Sequence, residues 1–172
     1  ILLTGSSNIS GILVPPYLRQ QSYDYTSIGF LVALTGIASL VSRFPTGAIY
    51  TQRRARTIST IAVVFMAIGY LLYPLAHESF LFALVQLLVG LSSGVATTTN
   101  LATFMDGIPE GTSRPKAMGL FAGALAGGHT VGNLVGGVAG DVFGYTLAFQ
   151  SGAAMTIGSL VFLWADRTEI PE

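Results

Sequence analysis

The sequence predicts an all-α membrane protein with six transmembrane helices. Only 9% of its 172 residues are charged, whereas a soluble domain carries about 25%. Hydrophobic residues make up 51%, and a chain of this length has too little interior to hide so much apolar surface from water. The charges also fall in clusters, and the apolar runs between them are long enough to cross about 30 Å of hydrocarbon as helices.

Each apolar run is predicted to be helical because lipid offers the backbone no hydrogen-bonding partner. The predicted spans cover residues 1–18, 26–50, 57–76, 79–105, 117–140 and 143–165. Together they form one bundle over residues 1–165, and residues 166–172 are predicted to begin a cytoplasmic linker. The first span opens without a methionine or a basic flank, so we expect the sequence to start inside a helix and to be a fragment.

Composition excludes several other classes of protein. The eight basic and eight acidic residues give a net charge of zero, so there is no basic surface with which to bind nucleic acid. The absence of cysteine excludes disulfides, thiolate nucleophiles and zinc–sulfur sites. We expect no metal site and no cofactor, apart from a proton or sodium ion that would couple to transport.

The loops alternate in charge, which predicts how the bundle is oriented in the lipid bilayer. On one side only Arg19 is basic. The basic residues predicted on the other side are Arg53, Arg54, Arg56, Arg114, Lys116 and Arg167. The positive-inside rule assigns that side to the cytoplasm. We therefore expect a multi-pass protein of the plasma (inner) membrane with both chain ends in the cytoplasm.

Span 2 contains Arg43, the one full charge well inside a predicted span. A charge in hydrocarbon is costly unless it is paired or reaches water. Arg43 lies ten residues before Arg53, or about 15 Å along a helix. Two interpretations stay open, because the side chain can reach the cytoplasmic surface or meet a partner at an internal interface.

Span 4 carries a polar stripe whose members recur in steps of four and three residues, so that they share one helical face. The stripe consists of Gln86, Gly90, Ser93, Thr97 and Asn100. A polar face in a membrane helix is directed toward a partner helix or a watery cavity, and both remain possible. Asn8 in span 1 is a further candidate for the cavity wall.

Span 5 is grooved by glycines at four-residue intervals on two roughly opposite faces. One face carries Gly119, Gly123 and Gly127, and the other carries Gly128, Gly132, Gly136 and Gly140. Small residues let neighbouring helix backbones approach closely in lipid, so these faces predict either tight packing or a sliding hinge. His129, in the middle of the span, is either a neutral hydrogen-bonded residue or a proton carrier; Asp141 is the other candidate carrier.

The run 27–56 resembles the second helix and following loop of the major facilitator superfamily. Gly47 fits the first glycine of that loop's signature, and Arg56 fits a basic position. Thr51 stands at the aspartate position, and Arg54 stands at the second glycine. In the family this loop helps to latch the state that is closed on the inside, so the missing aspartate leaves the latch open to question.

Span 4 resembles the fourth helix of that superfamily, with Gln86 in the place of an arginine that often precedes the glycine at Gly90. An uncharged amide cannot carry the proton transfer attributed to that arginine. Asp106, at the cytoplasmic end of the span, is expected to be able to pair with the arginines of the preceding loop.

Span 5 resembles the superfamily's antiporter signature. The matching glycines are Gly119, Gly128, Gly132, Gly136 and Gly137, and Asn133 replaces the signature's proline. In the family this signature suggests proton-coupled export of drugs or metabolites.

The resemblance covers nearly the whole chain and implies the N-terminal six-helix half of a twelve-helix secondary active transporter. It implies that helices 1 and 4 line the cavity for a small-molecule substrate. It also implies that helices 2 and 5 face a C-terminal half or a second copy of the chain. The cavity candidates are Asn8, Gln86, Ser93, Thr97 and Asn100, and the candidates for the interface between halves are Arg43 and His129. The gating candidates are Gly47, Arg53, Arg54, Arg56, Asp106, Gly119, Gly128, Gly132, Asn133, Gly136 and Gly137.

Two other functions stay open. A protein of the same fold can be a transport-inactive scaffold or assembly factor. The run Gly90–Gly94 also contains G-x-S-x-G, which raises the possibility of a rhomboid-like intramembrane serine protease in which Ser93 pairs with His129 at a similar depth.

Overall fold

A computed structural model describes residues 2–109 and 111–165. Within these residues every regular element is helical. The helices are α1 (Leu2–Gln20), α2 (Tyr25–Ile49), α3 (Gln52–Leu72) with a 3-10 turn (Tyr73–Leu75), α4 (Ser79–Asp106) and α5 (Arg114–Ala165). The linker predicted at residues 166–172 lies outside the described residues.

Four of the described helices are long and apolar enough to cross a membrane: α2, α3 together with the 3-10 turn, α4 and α5. Many of their large apolar side chains point away from the bundle, including Phe30, Phe44 and Leu134. An apolar surface of this extent is typical of a protein that faces lipid. Helix α1 has 19 residues, and its polar first half keeps it below the hydropathy of the other four.

Five α-helices are therefore found among the described residues where the sequence predicted six. Helix α5 runs through the predicted boundary between spans 5 and 6, and its 52 residues would extend about 78 Å if straight. It is broken at Gly144, where φ is 82° and ψ is 164°, a conformation that only glycine adopts without strain. The loop expected at residues 141 and 142 is thus replaced by a sharp bend two residues later.

The bend folds the two arms of α5 back on each other against α1. A Cβ atom on Gly136 would lie 3.2 Å from the Cα of Ile9, and one on Gly152 would lie 3.5 Å from the Cγ2 of Ile9. These glycines stand eight residues before and eight residues after Gly144. Gly5, one turn from Ile9, meets residues still further from the bend on both arms, so the arms run antiparallel.

Helix α2 begins at a defined cap. Asp24 is extended, and its carboxylate accepts hydrogen bonds from the backbone N–H groups of Thr26 and Ser27 at 3.1 and 3.2 Å. Hydrogen bonding from Ser27 lowers the pKa of the Asp24 carboxyl. The cap marks the point where the exposed connection from α1 turns into the apolar helix.

The basic cluster lies at the start of α3 and not in a loop. Arg53, Arg54 and Arg56 were predicted between spans 2 and 3, but α3 begins at Gln52, five residues before the predicted start of span 3. Charge ends an apolar run without ending a helix, because arginine is a good helix former wherever water can reach it. The extended connection to α2 is reduced to Tyr50 and Thr51.

Helix α4 packs closely on α2 at two glycines one turn apart. A Cβ atom on Gly90 would lie 2.5 Å from the carbonyl oxygen of Thr35, and one on Gly94 would overlap the carbonyl oxygen of Ser39. The two helices are each other's main contacts in this part of the bundle. The absence of a side chain at Gly90 and Gly94 therefore lets the backbones of α2 and α4 approach closely.

Helix α5 packs on α1 in the same way. A Cβ atom on Gly132 would overlap the backbone of Gly5. The glycines predicted on the opposite face behave differently: a Cβ atom on Gly119, Gly123 or Gly127 would meet nothing within 4 Å. Of the two grooves predicted on this helix, one is filled by α1 and the other faces outward.

We expect Gly132→Ala to destabilise the bundle by about 1–3 kcal/mol, because the added methyl group must push α1 away from α5. Gly127→Ala is the matched control, five residues earlier on the same helix and in open space. It should be neutral or stabilising by roughly 0.5–1 kcal/mol, since alanine favours a helix over glycine. Thermal unfolding in detergent micelles measures both, and equal midpoints would contradict the close α1–α5 contact.

Candidate functional site

A cleft of about 240 Å³ lies between the α1/α5 pair and the α2/α4 pair. It is lined by Thr4 and Ser7 of α1, Arg43 of α2, Ser93, Ala96, Thr97 and Asn100 of α4, and Phe121, Leu125 and His129 of α5. Arg43, Thr97, Asn100 and His129 are exposed. The cavity is therefore a partly open cleft in which polar and charged groups interrupt a mostly apolar surface.

All four helices contribute residues from the same end of the bundle. The cleft is reached near the start of α1 and α5 and near the end of α2 and α4. The exposed guanidinium groups of Arg53 and Arg54 lie at this end, at the start of α3. The cleft therefore extends from the middle of the bundle toward its basic end.

The opposite end is closed by an aromatic cluster of Tyr17, Tyr73, Phe82 and Phe149. The ring of Tyr73 stacks on Phe149 with 4.8 Å between centroids, and it lies 5.3 Å from Phe82. Tyr17 contacts Phe149 edge to face at 5.5 Å. All four residues are buried, so packed rings fill the space that lies beyond the polar cleft.

The polar stripe predicted on span 4 divides along the length of α4. Ser93, Thr97 and Asn100 line the cleft, as a cavity wall would. Gln86 and Gly90, at the other end of the stripe, pack against α2 instead. One part of the stripe thus faces a partner helix, and the other part faces a cavity.

Gln86 is only 2% exposed and acts as a packing residue. Its Oε1 accepts hydrogen bonds from Thr35 Oγ1 at 2.7 Å and from the Tyr73 hydroxyl at 2.5 Å. The amide therefore joins α2, α4 and the 3-10 turn. It lies away from the residues that line the cleft, where the sequence had suggested a place for it.

Asn8 also lies outside that lining. It is half-buried, and its Nδ2 donates a hydrogen bond to the carbonyl oxygen of Thr4 at 3.0 Å. Helix α1 contributes Thr4 and Ser7 to the cleft instead. Sequence reasoning missed this pair, although two small polar residues three positions apart on one helical face were a usable signal.

Arg43 and His129 both line the cleft. The sequence suggested them for an interface between two halves, and their exposure leaves that role open. Phe121 and Leu125, one turn apart on α5, form the apolar part of the wall. The cleft thus combines one guanidinium, one imidazole, four hydroxyl groups and one amide with an apolar surface.

The glycines and the asparagine that the sequence suggested for gating divide into a buried and an open group. Gly128, Gly132 and Gly136 are buried on the side of α5 that meets α1. Gly47, Gly119 and Asn133 are exposed, and a Cβ atom on Gly137 would meet nothing within 4 Å.

At the basic end, Asp106 is held by α2. Its Oδ2 accepts a hydrogen bond from the Tyr50 hydroxyl at 2.8 Å. The Arg56 guanidinium lies over the Trp164 ring, 5.7 Å from its centroid. The ends of α2 and α4 are therefore joined by a tyrosine–aspartate hydrogen bond, and the start of α3 is joined to the second arm of α5 by a cation–π contact.

The serine–histidine arrangement does not support proteolysis. The central serine of the G-x-S-x-G pattern falls on Ser92, which is buried and does not line the cleft. Its neighbour Ser93 lines the cleft, but its hydroxyl donates to the carbonyl oxygen of Gly90 at 3.0 Å. A serine nucleophile requires a base that accepts this proton.

Comparison with known proteins agrees with the resemblance noted in the sequence. The profile of the Major Facilitator Superfamily matches residues 1–172. Monocarboxylate transporter 2 of Homo sapiens is 27% identical over 99 residues, which are 55% of this chain and 21% of that protein. The chain thus matches about a fifth of the length of this curated relative. No solved structure matches.

We expect Gln86→Leu and Asn100→Leu to differ in their effect on stability, because Gln86 is buried against α2 and Asn100 is exposed in the cleft. Gln86→Leu leaves the buried Tyr73 hydroxyl without its acceptor, which should cost about 1–3 kcal/mol. The Thr35 hydroxyl keeps the main-chain oxygen of residue 86, at 3.5 Å, as an acceptor. Asn100→Leu removes an exposed amide and should leave the unfolding midpoint within about 1 °C of wild type, because surface substitutions usually change stability little. An equal loss of stability in both variants would contradict the division of α4.

Proposed function

Because the chain belongs to the major facilitator superfamily, we propose that it forms part of a secondary active transporter that moves a small molecule by alternating access. The observation that carries this proposal is a cleft inside a membrane bundle whose wall presents polar and charged groups between the helices. Its wall is built from four helices, and its far end is closed by the aromatic cluster. A cleft reached from one end and closed at the other is what one state of such a transporter requires.

The polar groups of the cleft are suited to receive a substrate. Within the described residues, the side chains of Thr97 and Asn100 make no hydrogen bond to protein. A polar group in a membrane protein that has no protein partner must be hydrated or must meet a ligand. These two side chains, one turn apart on α4, are therefore our candidates for direct substrate contact.

Orientation follows from the charges. We propose that the basic end of the bundle faces the cytoplasm of a plasma (inner) membrane, as the positive-inside rule requires. The cleft then opens toward the cytoplasm. Either efflux or uptake is compatible with this geometry, because alternating access carries substrate in the direction that the coupled gradients set.

We further propose that the outward groove of α5 meets a second helical unit, either a C-terminal half or a second copy of the chain. The support is the open space at Gly119, Gly123 and Gly127, since a helix grooved on this face can receive a closely packed partner. Arg43 and His129 lie exposed in the cleft nearby and would contribute to a shared binding space.

A transport-inactive scaffold of the same fold is the second candidate. The observation that favours it is Gln86, an uncharged residue at the position where the family often has an arginine, and one whose side-chain oxygen accepts hydrogen bonds from Thr35 and Tyr73. The transport assay that follows distinguishes the two functions.

We expect the double variant Thr97→Val/Asn100→Leu to lower transport about tenfold or more for each lost substrate hydrogen bond, at unchanged expression. The assay is uptake into proteoliposomes of labelled organic acids, sugars, amines and amides by the protein expressed from its complete gene. Thr130→Val is the control, because Thr130 is exposed on α5 and bonded to its own helix. Folded protein that transports no compound in the panel would favour the scaffold.

We propose that proton coupling acts through His129. It lines the cleft together with Arg43 of α2 and with uncharged residues of α1, α4 and α5. Asp141 lies instead near the bend at Gly144. Because a glutamine amide cannot take up the proton that an imidazole can carry, His129→Gln should reduce the stimulation of uptake by an imposed proton gradient.

Asp141→Asn is the matched control and should respond to the proton gradient like the wild type. Loss of the stimulation in Asp141→Asn, or full stimulation in His129→Gln, would move the proton carrier away from His129.

A further inference from the structure

Arg43 is a positive charge without a counter-charge in the part of the chain that the structure describes. No hydrogen bond or ion pair joins its guanidinium to a described residue. The described acidic residues lie at helix ends or near the α5 bend: Asp24, Glu78, Asp106 and Asp141. Asp106, at the same end of the bundle as Arg43, accepts its hydrogen bond from Tyr50.

Arg43 also stands at a depth where a lone charge is costly. It lies six residues before the end of α2 at Ile49, which is about 9 Å along the helix axis. A guanidinium inside a membrane protein requires water or a partner. The cleft that Arg43 lines supplies the space for either.

We propose that this cleft binds a small organic monoanion, a carboxylate, with Arg43 as its counter-charge. The inference rests on the proposed transport function and names the substrate class of the same site. The planar guanidinium presents two parallel N–H donors that match the two oxygens of a carboxylate. The hydroxyl of Thr97 and the amide of Asn100, on the α4 wall, are further donors without a protein partner.

The charge of the ligand follows from the other residues that line the cleft. Every residue that lines the cleft apart from Arg43 and His129 is uncharged. Arg43 gives the cleft one permanent positive charge, which one carboxylate neutralises. A cation would be repelled, and a dianion would bring a second charge with no partner.

The body of the ligand is expected to be short and apolar. Ala96, Phe121 and Leu125 form an apolar surface in the same cleft. The volume of about 240 Å³ is below the roughly 300–1,000 Å³ of sites that hold drug-sized ligands. Butyrate and benzoate have one carboxylate each and an apolar body of this kind, so they are suitable probes.

The test is equilibrium binding of radiolabelled butyrate and benzoate to the purified protein, expressed from its complete gene, in detergent micelles. Butyramide and benzamide have nearly the same shape without the charge. We expect the carboxylates to bind tenfold to a hundredfold more tightly than the amides, as a charged hydrogen-bonded pair provides. Arg43→Gln should abolish that preference, and Arg43→Lys should restore part of it.

Lys116→Gln is the matched control, since it removes an exposed positive charge at the start of α5 that does not line the cleft. It should bind carboxylates like wild type. If Arg43→Gln lowers the unfolding midpoint but leaves the carboxylate preference intact, Arg43 serves only to reach the membrane surface and the proposal is overturned. Equal binding of carboxylates and amides by the wild type also overturns it.

Uptake of the same four compounds into proteoliposomes separates this proposal from the transport function. Transport of amides without carboxylates would refute the anion site while preserving the transporter. Arg43-dependent binding of carboxylates without uptake under any ion gradient would refute the transporter while preserving the anion site.

Discussion

The bundle depends on the close approach of helix backbones at a few glycines. In lipid no hydrophobic force drives helices together, so short-range packing has to hold them. Gly132 brings α5 onto α1, and Gly90 and Gly94 bring α4 onto α2. The result is two tight pairs, and the cleft is the space that remains between them. The packing that stabilises each pair therefore also defines the walls of the site, because a larger residue at these glycines would move one wall relative to the other.

Helix α4 shows how one helix face serves two purposes. At one end the side-chain oxygen of the buried Gln86 accepts hydrogen bonds from two hydroxyl groups, so this amide contributes to the packing of three elements. At the other end Thr97 and Asn100 face the open cleft. A buried amide with no partner would destabilise the bundle, whereas an exposed one is hydrated and remains available to a ligand. Burial, and not residue type, therefore decides which polar groups of the stripe are accessible from the cleft.

Much of the fold could be predicted from the sequence, because hydropathy is a local property that fixes where apolar helices occur. Helix boundaries were less predictable: the arginines that end an apolar run lie inside α3, and the bend in α5 comes at Gly144. For the site, Ser93, Thr97 and Asn100 could be placed on one face with Gln86, but the sequence could not say that α2 covers only part of that face. The sequence likewise could not distinguish the two glycine grooves of α5. Which groove α1 fills depends on contacts between segments that are distant in the sequence.

Tyr73 connects the closed end of the bundle to the helix that carries the cleft. Its ring stacks on Phe149 of the second α5 arm, its carbonyl oxygen accepts a hydrogen bond from Tyr17 of α1 at 3.5 Å, and its hydroxyl donates to Gln86 of α4. Access to the cleft from this end would require the rings to separate. Such a movement would displace the Tyr73 hydroxyl from Gln86 or would carry α4 with it. The hydrogen bond between Tyr73 and Gln86 therefore connects the aromatic cluster to α4, the helix on which Ser93, Thr97 and Asn100 line the cleft.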